Sequence, residues 1–388
     1  MLGDTRLSFE TLADPPGFEI ADNVEQLRYR LHTPEPVSPT PVPTDQFHFP
    51  VESGVRLVTD ELVLPSVVSL FVRDDDGGMV SEIEHLDSES FGSGSYILEL
   101  STQIKTYIEV EGPVDITADL FELRFAFEEP TAVDVGVRSR HNRPAATVTT
   151  TEEPVDLMAA ISTFGSALKS TSPERSFPTL RGHPPLVEVG DGFDAPASLS
   201  KPETDVAIEL PRDWGDVYRA SSLAFYLGAD VRPGDERALV VDGDRYSLQS
   251  DHGFEREVTG LLKHVFFLDC VVRTEGLYTV DLHERAAVAD DLEFDLSDAY
   301  EASLADRLAS YLEVPRAVTR PHWPRWKQTV DVAPEPGRIE SLPFVVNDLA
   351  EIRIPRQDEE PPDVREEPEA VTSFLRTRVR LQIGRAHV

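Results

Sequence analysis

Near residue 150 the spacing of apolar residues changes, and that change constrains the fold more than any single motif. Before it, short runs alternate or cluster β-forming residues: VRLVTDELVL, SVVSLFV, YILEL, KTYIEVEG and LFELRFAF. Turn residues separate them at DDDGG (74–78), GSG (92–94) and EGP (111–113). A period of two marks a half-buried strand, and several short strands at this spacing predict an antiparallel β-sandwich-like domain over residues 1–149. Within it, TPEPVSPTPVPT (33–44) is expected to be an extended edge segment or linker. A ligand for a polyproline-binding module is the alternative.

After residue 150 the apolar spacing lengthens to that of helices. Leu157, Ile161, Phe164 and Leu168 recur on one face, with Pro154 in the first turn. DVAIEL (205–210) reads as a strand, and Asp213 then caps a helix that runs to Gly228. ALVVD (238–242) is a second strand, turned by DGD. Phe254, Val258, Leu261, Val265, Leu268 and Val272 mark a long amphipathic helix, with Gly276 as its left-handed cap. LYTVDL (277–282) is expected to be a strand. Ser297 is expected to cap one helix carrying Tyr300, Leu304, Leu308 and Tyr311 up to Pro315. Strands alternating with helices predict a layered, partly parallel α/β domain over residues 150–355. The fold class expected is therefore α+β multidomain.

Charge bounds the partners. The chain of 388 residues holds 71 acidic and 36 basic side chains, a net charge of −35, yet 40% of it is hydrophobic. Only Lys105, Lys169, Lys201, Lys263 and Lys327 are lysines. Acidity spread along a core-forming chain reads as adaptation to a salt-rich cytosol. No basic stripe offsets phosphate repulsion, so nucleic acid is not an expected partner. The longest apolar stretch, LLKHVFFLDCVV, is broken by Lys263, His264 and Asp269, so no membrane span is expected. MLGDTRLSFE lacks the pattern of a signal peptide, which points to the cytoplasm. The single cysteine, Cys270, excludes an intrachain disulfide and a cysteine-based zinc site.

Candidate chemistry is sparse. Cys270 offers a thiol, but a nucleophile needs a base within hydrogen-bond reach. His264 lies six residues earlier, about 600° around a helix and so on nearly the opposite face. His283, in DLHER, is the remaining base for it. Otherwise Cys270 is a small core thiol and His283 part of a salt-bridged strand end. Arg181 and His183, in SFPTLRGHPPLVEVG, could bind an anion or carboxylate in a loop fixed by Gly and Pro, or simply turn the chain. Arg273 and Glu275 are placed to pair with His283 or Glu284. Trp323 and Trp326 are expected to anchor a loop, an exposed binding face being the alternative. FGSGSY has Ile97 where a dinucleotide fingerprint needs its third glycine, no phosphate-binding loop occurs, and RDDDGG lacks the ligands of a calcium loop. No cofactor and no metal are expected.

The tail QDEEPPDVREEPE (357–369) has the composition of an acidic linker, assigned to 356–381. Written as codons, the last residues, QIGRAHV (382–388), match the start of a short-read sequencing adapter. Native sequence is therefore expected to end near Leu381 and to continue in the gene.

SFPTLRGHPPLVEVG, AFYLGADVRPGDE, LKHVFFLDCVVRTEGLYTVDLHER and ESLPFVVNDLAEIRIP resemble a family of large, uncharacterised haloarchaeal proteins. The resemblance implies a cytosolic protein with a further C-terminal caspase-like (CHAT-type) region, none of whose catalytic residues maps onto this chain. The expected function is a non-catalytic N-terminal sensor, scaffold or regulatory region, partnered by another protein or by its own C-terminal domain. The alternative is a hydrolase or anion-ligand enzyme around His183, Cys270 and His283.

Overall fold

The computed structural model describes residues 6–278, 280–326 and 328–355. The expected linker and the adapter-like terminus lie outside the described residues. The α+β multidomain class is observed. Two large hydrophobic cores form, one drawing on residues 7–137 and the other on residues 148–352.

Twelve strands make the first body: β1 (Leu7–Ala13), β2 (Pro16–Asp22), β3 (Leu27–His32), β4 (Thr40–Val42), β5 (Ser53–Leu64), β6 (Leu70–Arg73), β7 (Met79–Ile83), β8 (Ser88–Phe91), β9 (Ser95–Leu100), β10 (Lys105–Glu111), β11 (Val114–Ala118) and β12 (Leu123–Arg138). Every pairing among them is antiparallel. The long strands β5 and β12 pair along most of their length, with a register shift between Ala126 and Thr131. Before that shift β12 also pairs with β11, and after it with β10. An irregularity of this kind bends a strand, so β5 and β12 serve two layers. One layer runs β8-β11-β12-β5-β3-β2-β1 and the other β5-β12-β10-β9-β6-β7. Their inner faces, among them Ile20, Leu31, Ile116 and Phe125 from one and Leu98, Ile108, Val135 and Val137 from the other, share one core. The proline-rich run supplies β4, where Pro41 lies opposite Val55; an edge strand tolerates a residue with no N–H.

The second body opens with β13 (Thr147–Thr150), α1 (Pro154–Ser162) and β14 (Leu186–Val189), which pairs parallel to β13. Next come β15 (Val206–Leu210), α2 (Trp214–Leu227), β16 (Asp230–Pro233), β17 (Ala238–Val241) and β18 (Asp244–Ser247) in a sheet ordered β16-β15-β17-β18. β15 and β16 are parallel with α2 crossing between them; the other two pairings are antiparallel. Asp213 accepts from Asp216 N at the start of α2, and Gly228 ends it at φ 58°. α3 (Phe254–Val272) packs on α2. The remainder is α4 (His283–Val288), α5 (Leu296–Glu301), α6 (Leu304–Glu313), α7 (Arg316–Thr319), β19 (Thr329–Asp331), α8 (Leu342–Asn347) and β20 (Glu351–Arg353), with β19 and β20 parallel. No helix among the described residues is long and apolar enough to cross a membrane.

Three expectations are corrected. The described residues of 277–282 form no strand; Leu277 and Tyr278 pack on the outer face of the sandwich, and Leu282 packs on the second core. Gly276 lies at φ −102° and is no left-handed cap, because a short 3-10 turn, Arg273–Glu275, ends α3 instead. The helix expected after Ser297 is two helices, capped by Asp295 and by Ser303, with Ala302 extended between them.

Candidate functional site

α3 carries Cys270 beside Asp269, whose carboxylate is fully buried. Oδ2 of Asp269 accepts from Arg175 Nε at 2.9 Å and from the Tyr226 hydroxyl at 2.6 Å. Oδ1 accepts from the Tyr311 hydroxyl at 3.2 Å, with Arg307 Nε at 3.7 Å. Arg175 and Arg307 are each only 1% exposed. This cluster ties the 172–183 loop, α2, α3 and α6 together. Arg181 joins it: its guanidinium lies over the rings of Tyr226 and Phe266 and donates to the carbonyl of Arg175.

Of the four residues proposed from sequence, the structure brings Cys270 and Arg181 into one neighbourhood and leaves the two histidines elsewhere. Burial pushes the Cys270 thiol up, with Arg273 opposing and Asp269 adding to the shift. The nucleophilic form is the thiolate, so this environment favours the unreactive one. His183 Nδ1 donates to Pro184 O at 2.7 Å and its ring meets Phe344 edge-on at 5.1 Å. His283 is exposed at the start of α4, not at a strand end. Neither histidine is in hydrogen-bond contact with Cys270 among the described residues. Glu275 pairs with Arg285, and Arg273 donates to Ser176 Oγ at 2.7 Å, so neither holds His283 or Glu284. His264 is spent on packing: Nε2 donates to Tyr311 O at 2.8 Å, since a carbonyl only accepts, leaving Nδ1 to accept from Thr319 at 2.7 Å. The indoles of Trp323 and Trp326 donate to Thr319 Oγ1 and Leu349 O and pack on the core as anchors.

The site that sequence reasoning missed lies where the two bodies meet. Along β10, Thr106, Ile108 and Val110 face the sandwich core, so Lys105, Tyr107 and Glu109 face outward. Lys105 lies directly opposite Arg138 on β12, and Tyr107 opposite Glu99 on β9. The outer face therefore groups Glu99, Lys105, Tyr107 and Arg138. The second body covers it with Phe177, Thr179, Leu180, Tyr278 and Val280, leaving a cavity of about 360 Å³ at the seam. Tyr278 is fixed by its hydroxyl, 3.1 Å from that of Tyr107, and by ring contacts with Phe49 and Phe177.

Charge at this seam runs against the rest of the chain. Glu99 accepts from both Arg73 Nε at 2.7 Å and Lys105 Nζ at 2.6 Å. Arg138 is 5% exposed and donates to Pro50 O; Arg140 donates to Thr102 O. Neither arginine has a carboxylate within ion-pair reach among the described residues. Like charges directly opposed across two strands repel, and a buried cation without a counter-charge is costly. Burial lowers the Lys105 pKa; Glu99 opposes that shift, while Arg138 and Arg140 add to it. Glu174 also feels Arg138, but burial raises its carboxyl and its bonds go to Leu277 N and the Tyr300 hydroxyl. The seam thus sets Arg73 and Lys105 on the Glu99 carboxylate, with Arg138 and Arg140 close to Lys105 and Glu174 within electrostatic range of Arg138. Period-two reading of KTYIEVEG could have put Lys105 on the outer face; only the register shows Arg138 across from it.

Compared with known proteins, the chain matches no family model, no curated protein and no solved structure.

Proposed function

We propose that this chain is the non-catalytic, sensing and scaffolding N-terminal region of a larger cytosolic protein from a salt-adapted organism. One observation carries the reading: the unbalanced charge and the cavity sit at the seam between two bodies. A molecule bound there touches both bodies at once, and so changes how firmly one is held on the other. That is what a regulatory region needs and what a hydrolytic site does not. The separation of Cys270 from both histidines, and its raised pKa, weigh on the same side. The module regulated is a further domain of the same polypeptide, the caspase-like region implied by the resemblance, or a separate protein partner. The test is to amplify the gene and read it past the codon for Leu381. A frame that continues into a further folded region supports the proposal. A native stop within a few codons overturns it.

A further inference from the structure

We propose that the seam cavity binds a small organic carboxylate with an aromatic or aliphatic body. Arg138 and Lys105 hold the carboxylate, while Phe177, Leu180 and Tyr278 enclose the body. For its role this inference rests on the sensor reading; for its chemistry it rests on the seam alone.

The wall has two characters. The floor is net cationic, with Glu99 set among Lys105, Arg138 and Arg140: Arg138 is almost fully buried, lacks an ion-paired carboxylate, and is set against Lys105 by the strand register. Glu99 is already shared between Lys105 and Arg73, so it does not neutralise Arg138 as well. An arginine fork matches a carboxylate through two parallel hydrogen bonds, and lysine adds a point charge. The opposite wall is apolar, with Leu180 1% exposed and the rings of Phe177 and Tyr278 in contact. Inorganic phosphate would satisfy the first character and leave the second unused. A neutral apolar molecule would do the reverse. The volume, about 360 Å³, is at the small end of ligand cavities, which suits a monocarboxylate of one ring or a short chain. Arg140, Thr179 and Val280 are exposed and form its mouth, so a ligand can enter without unfolding either body. In concentrated salt the apolar body matters doubly, because chloride competes for the cations but not for the rings.

Isothermal titration of the full chain with 3-phenylpropanoate, its uncharged amide, octanoate and inorganic phosphate tests this. The acid is expected to bind, with the amide about tenfold weaker or more, the size of a lost hydrogen bond to a charged group. Arg138→Gln is expected to weaken the acid by a similar factor and leave the amide unchanged. Arg138 also braces Pro50, so a variant at the mouth supplies the second arm. Thr179→Trp plugs the cavity from an exposed position and is expected to abolish binding with the unfolding midpoint unaltered. Equal binding of acid and amide, binding of phosphate alone, or undiminished binding by Thr179→Trp overturns the proposal. So does silence with both carboxylates. Any of these results alongside a gene that continues past Leu381 removes the ligand class and leaves the regulatory reading standing.

Discussion

Replacing Asp269 with asparagine keeps the shape of the side chain and removes one charge. The native carboxylate is fully buried and takes Arg175, Tyr226 and Tyr311 as donors, with Arg307 close by. In Asp269→Asn, Arg175 and Arg307 keep their own charges at 1% exposure, and half of the new amide faces donors with another donor. Breaking one side of a buried ion pair costs about 3–5 kcal/mol. That is about a fifth or more of the roughly 5–15 kcal/mol that holds a protein folded. All three tryptophans, Trp214, Trp323 and Trp326, pack on the second core, so their fluorescence reports on that body. With a urea m-value of about 2 kcal/mol/M, the midpoint should fall by about 1.5–2.5 M. Because the pair is buried, molar salt should shrink the loss only slightly. The effect should also reach the seam: Asp269 fixes Arg175, whose carbonyl receives Arg181, and the loop between them carries Phe177 and Leu180. A loss below about 1 kcal/mol, or one that salt removes, would refute this reasoning and place the arginines in contact with water.

Two further outcomes follow from the same packing. Cys270 should react with iodoacetamide far more slowly than a free thiol at pH 8 and at the ordinary rate only in denaturant; a free-thiol rate in the folded chain would refute its raised pKa. Burial depresses the His264 imidazole to about 4. As pH falls below the ordinary 6.5, the unfolded chain takes up a proton that the folded chain refuses. This residue should therefore contribute fully above pH 6.5 and cost about 2–3 kcal/mol as pH falls toward 4, and His264→Gln should flatten that part of the stability profile. A wild-type and variant profile of equal slope would show the ring to be solvated.

What could be read from the sequence was local. Asp213 and Gly228 announce the two ends of α2 because a cap needs only its own few residues. KTYIEVEG alternates because one face of β10 is core. Tyr300, Leu304, Leu308 and Tyr311 keep helical spacing through a real break, since the apolar face is continuous even where Ser303 starts a new helix. LYTVDL has strand composition, yet its described residues form no strand, and Tyr278 instead packs on aromatic neighbours. SFPTLRGHPP forms a loop whose side chains point in several directions. Arg181 turns into the buried cluster and His183 onto Phe344, while Phe177, Thr179 and Leu180 face the cavity. The cations come from Lys105 and Arg138, 33 positions apart in sequence and opposed only through the register of β10 and β12. A pairing of that kind is set by the hydrophobic pattern of whole strands, so no local motif discloses it.

One ligand engaging two bodies at the seam is the proposal on which the regulatory reading turns. Hydrogen exchange of the full chain, with and without saturating 3-phenylpropanoate, tests it most directly. Added protection is expected on both sides at once, in the strand segments 97–109 and 135–140 and in the loop 176–183. Protection confined to one body, or none at saturation, would contradict it.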